Sequence, residues 1–179
     1  MALDADAVDV AVSGAVSFGT TTLAAPTDAE SPLPVGYRDV GYISDDGVTE
    51  NRDRSTNDIP AWQGGAIVRT VVTEGKLTIS FTMIETNRNS VELFYGRPIA
   101  ADGSVEIDPA ATGGRRRVVL DYVDGDKFVR LFLPDCEVVE VGEITIAGTE
   151  AVGYEITITA YKDVVLGYSG KKWFSALAS

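Results

Sequence analysis

The side chains that catalysis near neutral pH draws on are mostly missing from this sequence. It contains no histidine. That removes Ser-His-Asp and Cys-His nucleophilic centres, histidine acid–base chemistry and most zinc sites. The single cysteine, Cys136, has no histidine to activate it and no second cysteine for an internal disulfide, so it reads as a small core residue. Aspartate and glutamate number 27, so carboxylate pairs arise by chance and none marks a glycosidase. Asp121, Asp124 and Asp126 surround a turn but lack the spacing of a calcium loop. Gly64-Gly65 and Gly113-Gly114 lack the phosphate-loop lysine and the dinucleotide-binding spacing, and read as turns. Arg115-Arg116-Arg117 is the only basic cluster. It opens a strand, so its side chains split between two faces, which suits ion pairs between subunits better than nucleic acid. No enzyme, metal site or cofactor is expected.

The elements that must position the remaining side chains are nearly all strands. Lys76 to Ile84 is the clearest: Lys76, Thr78, Ser80 and Thr82 point one way, and Leu77, Ile79, Phe81 and Met83 the other. Val152 to Tyr161 repeats the pattern, with Glu155, Thr157 and Thr159 opposite Tyr154, Ile156 and Ile158. Arg116–Val123 and Lys127–Leu133 flank Asp124-Gly125 as a hairpin. Further strands are expected at Val8–Phe18, interrupted at Gly14, and at Val40–Ile43, Ile67–Val72 and Cys136–Ile146. One helix is expected over Thr86–Tyr95, capped by Thr86 or Asn87 and stopped by Gly96. The pattern predicts a mainly-β, antiparallel sandwich or barrel with one short flanking α-helix. The 179 residues suit a single domain. Within it, 19–36 forms an irregular arm, 45–60 a projecting loop or hairpin, and 167–179 a tail.

Two hydroxyl-rich strand faces are left without a chemical role. They are either the solvent side of a sheet or the lining of something that must not stick. The net charge is −12, and the first 60 residues hold only three basic side chains, Arg38, Arg52 and Arg54. Gripping phosphate backbones takes clustered Lys and Arg, so nucleic-acid binding is not expected. The start, Met1-Ala2-Leu3-Asp4-Ala5-Asp6, is acidic where a secretory leader needs positive charge. No apolar run approaches the ~18–20 residues of a membrane span, so none is expected.

From Ala25-Pro26-Thr27-Asp28-Ala29 onward the sequence resembles the major tail tube proteins of long-tailed, non-contractile phages of actinobacteria. The resembling stretches are 40–50, Val-Gly-Tyr-Ile-Ser-Asp-Asp-Gly-Val-Thr-Glu, then Ile59-Pro60-Ala61-Trp62-Gln63 and Val68-Arg69-Thr70. Ile84-Glu85-Thr86-Asn87 and Leu93-Phe94-Tyr95-Gly96 follow. The match covers roughly residues 8–96, and the strand from Tyr154 to Tyr161 fits more loosely. The resemblance implies a structural virion protein without catalytic residues. Its subunits would form hexameric rings that stack into a tube, with strands of all subunits joined in one inner barrel that conducts the genome into the host. Implied partners are further copies of the chain, tape-measure, tail-tip and terminator proteins, and double-stranded DNA in transit without specific binding. Assembly would take place in the host cytoplasm.

On that reading Thr78, Ser80, Thr82, Glu155, Thr157 and Thr159 face the lumen. Glu50, Arg52, Asp53, Arg54, Asp58, Trp62 and Trp173 belong to segments that meet other subunits and order on assembly. Two other functions share the architecture. A contractile injection or type VI tube would conduct protein effectors, and its genomic neighbourhood would separate it from a phage. A β-sandwich carbohydrate-binding module needs exposed aromatics on one face, whereas Trp62 and Trp173 lie far apart in sequence.

Overall fold

A computed structural model describes residue 3 and residues 7–178. Met1, Ala2, Asp4, Ala5 and Asp6, most of the acidic start, lie outside the described residues, as does Ser179 at the end of the tail. Among the described residues eight strands form a single antiparallel sheet: β1 Ser13–Thr20, β2 Arg38–Asp39, β3 Ile43–Pro60, β4 Ile67–Met83, β5 Arg116–Asp124, β6 Lys127–Val141, β7 Tyr154–Ala160 and β8 Lys171–Phe174. Their order is β2-β1-β5-β6-β7-β4-β3, with β8 added beside β6. One helix, α1 Arg88–Tyr95, flanks the sheet. The mainly-β antiparallel class with one short helix is therefore what the chain adopts.

β6 joins two halves of the sheet. Residues Lys127–Leu133 sit in the half formed with β5, while Cys136–Val141 pair with β7. The changeover falls at Pro134-Asp135, where the β5–β6 register slips by one residue. Proline brings no N–H to a ladder, so a change of neighbour is where a strand tolerates it. The inward side chains form one apolar cluster: Val16 and Phe18 of β1, Ile79, Phe81 and Met83 of β4, Val118 of β5, Leu131 and Leu133 of β6, and Ile156 and Ile158 of β7. Each such burial contributes about 1.5–3 kcal/mol.

The helix closes one side of that cluster with Leu93 and Phe94. Phe94 meets Tyr154 edge-on, ring centroids 5.4 Å apart. Eight residues are too few to be stable alone, so the ends matter. Asn87 Oδ1 accepts from the backbone N–H groups of Asn89 (2.8 Å) and Ser90 (3.0 Å), and Asn87 Nδ2 donates to Val40 O (2.9 Å). Gly96 ends the helix at φ 64°, and a Cβ there would lie 2.5 Å from Gly113 N. Asn87→Ala removes both the cap and the tie to Val40. It should destabilise the chain by about 1–2 kcal/mol in urea unfolding.

Several expectations meet a different arrangement. Val8–Val12 runs past the ends of β5 and β6 and forms no strand, while β1 continues through Gly14, where a Cβ would crowd Asp121 O. Ile67–Val72 and Lys76–Ile84 are one strand, β4. The tail expected at 167–179 supplies β8 and a 3-10 turn at Ser175–Leu177. The arm is held against the sheet. The buried Arg130 guanidinium donates to the carbonyls of Asp28 (3.0 Å) and Ser31 (2.7 Å) and pairs through two bonds with Asp121 (2.7 and 2.9 Å).

Candidate functional site

The β4–β7 register brings the six predicted lumen residues together. Thr78 lies opposite Thr159, Ser80 opposite Thr157 and Thr82 opposite Glu155. Directly paired residues point to the same side of an antiparallel sheet, so all six share one face. Ser80 and Thr157 share a hydrogen bond of 2.9 Å between hydroxyls. Glu155 is exposed, Thr78, Ser80, Thr82 and Thr157 are half-buried, and Thr159 is buried at 7% exposure with no partner for its Oγ1.

The face widens on both sides. β3 adds Thr49 opposite Ser80 and Asn51 opposite Thr78, and β6 adds Glu137 opposite Thr159 and Glu140 opposite Thr157. Glu137, Glu140 and Glu155 therefore stand on a floor of hydroxyls, with Asp53 and Lys76 opposite each other at its end. Arg115 lies beside Glu137 (3.4 Å) but is also paired with Asp135 (3.0 Å) and stacked 3.5 Å over the Tyr161 ring. Its charge is satisfied within the chain. Arg116 stacks on Phe18, and Arg117 stacks on Phe132 and donates to Leu23 O. Within the chain the arginine run thus ties the sheet together.

The second feature is a ribbon. β7 accompanies β4 only from Met83 to Leu77. Outward from Asp53 and Lys76, β3 and β4 continue as a two-stranded hairpin with no third strand among the described residues. The eight residues Asp53–Pro60 give an overhang of about 25 Å. It turns at its tip through Gly64-Gly65, where Ala61 N donates to Ala66 O at 2.7 Å. Both faces are wet, and Trp62 is 95% exposed together with Ile59, Ile67, Val68 and Val72. A lone two-stranded hairpin is marginal in water, so a ribbon of this length with bare apolar residues has the character of a docking element.

Of the predicted contact residues, Glu50, Arg52, Asp53, Arg54, Asp58 and Trp62 all lie on the ribbon or at its base. Glu50 pairs with Lys172, Asp53 accepts from Asn51 (3.0 Å) and Asp58 from Thr70 (2.6 Å). Arg52 and Arg54 have no partner among the described residues. They line a cleft of about 710 Å³ whose walls include Leu77, Leu131 and Phe174. Trp173 lies apart, half-buried on β8, with the Lys171 ammonium 4.6 Å from its ring. The open side of β6 beyond Cys136 was not singled out from sequence. Its signal was a strand pattern running further, to Ile146, than any partner follows.

The electrostatics place sensitivity in acid. Hydrogen bonds from the Ser31 hydroxyl and backbone hold Asp28 well below the usual carboxylate range. Burial works to raise Glu92, but the Arg38 hydrogen bond, the Ile99 N–H and two arginine charges leave it lowered. Backbone hydrogen bonds from Ala110 and Leu166 lower Asp108 and Asp163 respectively. A depressed folded-state pKa adds stability above the ordinary carboxylate values of ~3.9–4.3 and loses it as pH falls through the folded value. Thermal melts should therefore hold level from pH 8 to about 5 and drop below about pH 4. With no histidine, no step is expected near pH 6. Cys136 stays out of this range too, because burial pushes its thiol pKa up.

Comparison with known proteins adds a family. A family model described as phage tail tube protein matches residues 1–175. No curated protein sequence matches the chain. Among solved structures, the chain is similar to one described as the tail of an empty GTA particle, computed with helical refinement and C6 symmetry. The two share 9% identity at a TM-score of 0.41, over 83% of this chain and 91% of the other.

Proposed function

The chain belongs to the phage tail tube protein family, a structural component of the virion tail and not an enzyme, and from that premise we propose that its copies close into hexameric rings which stack into a conduit for the genome. The observation that carries this reading is the polar face of β4 and β7, hydroxyl-rich, edged by Glu137, Glu140 and Glu155. We assign that face to the lumen. Duplex DNA carries one negative charge per ~1.7 Å. A wall with lysine or arginine stripes would hold it through counterion release and slow its exit. A wall of hydroxyls and carboxylates repels it weakly everywhere and offers no sticky minimum.

The ribbon complements that wall. Its apolar tip residues are covered when one ring meets the next, and the ordering entropy is offset at that moment. Tape-measure, tail-tip and terminator proteins are the expected partners, with assembly in the host cytoplasm.

Electron microscopy of the purified chain over a concentration series, beside light-scattering mass, tests the reading. Rings or hollow tubes are expected. A strict monomer at every concentration, even with tail-tip complex added as initiator, would overturn it. The lumen assignment has its own check in Glu155→Lys. Tubes carrying it should assemble and release DNA more slowly, with the delay shrinking as salt rises. Ejection at the parental rate would remove Glu155 from the wall.

A further inference from the structure

A cavity lies where β1 and the start of β3 approach each other. β2 covers β1 only at Ser17 and Phe18, so Ser13, Gly14 and Ala15 have no strand on that side among the described residues. β3 pairs only with β4, and its register breaks between Ile43 and Val48. The space between the two stretches is about 320 Å³, walled by residues 11–15, parts of 41–48 and Leu120. That volume is at the lower end for ligand sites, room for one aromatic side chain.

The walls carry bare apolar groups and an unmet hydroxyl. Val12 is 73% and Tyr42 76% exposed. The Tyr42 backbone is tied on both sides, its N–H donating to Glu85 Oε2 (3.1 Å) and its carbonyl accepting from Ile84 N (2.9 Å). A fixed backbone thus presents the exposed ring. Ser44 Oγ, on the same wall, is buried without a hydrogen-bond partner among the described residues. Asp45 stands at the rim with Asp46 beside it, both exposed.

The ribbon tip carries the complementary set. Trp62 offers a bare apolar ring with one N–H donor, and a buried indole finds an acceptor for that N–H. Arg69, opposite Ile59, is exposed and has no partner among the described residues. Cavity and tip belong to opposite ends of β3. Val48 and Pro60 are twelve residues apart on it, about 40 Å of strand. The tip therefore cannot reach the cavity of its own chain.

We propose that this cavity receives the ribbon tip of a second copy. Trp62 seats against Tyr42 and Val12 with its N–H offered to Ser44 Oγ, and Arg69 lies beside Asp45 and Asp46. The proposal rests on the reading of the ribbon as the element between rings, and names the site that takes it. Tip and cavity are different surfaces, so the contact is heterologous and repeats from copy to copy. A tryptophan in a pocket with charges at the rim is the arrangement that carries most of the binding energy at protein interfaces.

Fluorescence and disulfide trapping test it together. The chain has two tryptophans, so in Trp173→Phe all indole emission comes from Trp62. Its maximum should lie at the hydrated position in the free chain and move to shorter wavelength as tubes form. For trapping, Gln63→Cys is combined in one chain with Tyr42→Cys or Asp45→Cys, and the tubes are oxidised. Within one chain these positions are far beyond the ~7 Å Cα limit for a disulfide, so every bond joins two copies. The buried Cys136 stays silent. A covalent ladder for at least one pair, absent from the single variants, is expected alongside the shift. Tubes whose Trp62 emission stays at the hydrated position, or tubes without a ladder at either pair, would overturn the site and leave the tube standing. The emission needs no cysteine, so it decides even where a double variant fails to assemble. Parent protein that forms neither rings nor tubes would instead overturn the stacking reading beneath it.

Discussion

Cutting back the ribbon should abolish assembly and leave the fold intact. Asp53 and Lys76 face each other directly, so Arg54–Gly75 can be replaced by Asn-Gly, the pair that two-residue hairpin loops favour. The removed residues hold no buried side chain. The midpoint of thermal unfolding should stay within about 3 °C of the parent, a shift that corresponds to about 1 kcal/mol for a chain of this size. Rings or tubes should be lost at every concentration where the parent forms them. Tubes of normal length from the shortened chain would show that the ribbon is not the stacking element. A collapse in melting temperature would make it part of the fold.

Arg130→Ala should be the most damaging single substitution away from the apolar cluster. The guanidinium is 5% exposed and holds Asp121 through two hydrogen bonds and the arm through the carbonyls of Asp28 and Ser31. Breaking a buried pair from one side costs about 3–5 kcal/mol. The Asp121 side chain is 30% exposed, so solvent screens part of the loss and about 3 kcal/mol is expected from urea unfolding. Arg130→Lys should recover little, because an ammonium cannot reproduce a two-pronged bond and reach two carbonyls besides. Limited proteolysis should cut the variant within residues 21–34 and spare the parent. A loss below about 1 kcal/mol would mean the arm is held by its own packing.

The sequence announced an element when one side of it was dry. β4 from Lys76 onward alternates because Ile79, Phe81 and Met83 enter the core, and β7 alternates for the same reason. The helix was legible from Asn87 and Gly96, and the β5–β6 hairpin from Asp124-Gly125. β3 was read only as a loop or projecting hairpin because both of its faces are wet beyond Val48, leaving no period to read. The same holds for Val72–Gly75, which hid the continuity of β4. β8 is four residues long and exists through its pairing with β6 about forty positions away. The polar faces were each visible as alternation, but their union depends on a register between residues some eighty positions apart.

The ribbon also separates two properties that most proteins must adjust together. Its side chains take no part in the apolar cluster, so its length and sequence can drift without repacking the body. Two residues added to each strand would extend the overhang by about 7 Å at little risk to folding. If the ribbon spaces successive rings as proposed, that spacing could be retuned by small insertions in one hairpin while the polar face stayed as it was.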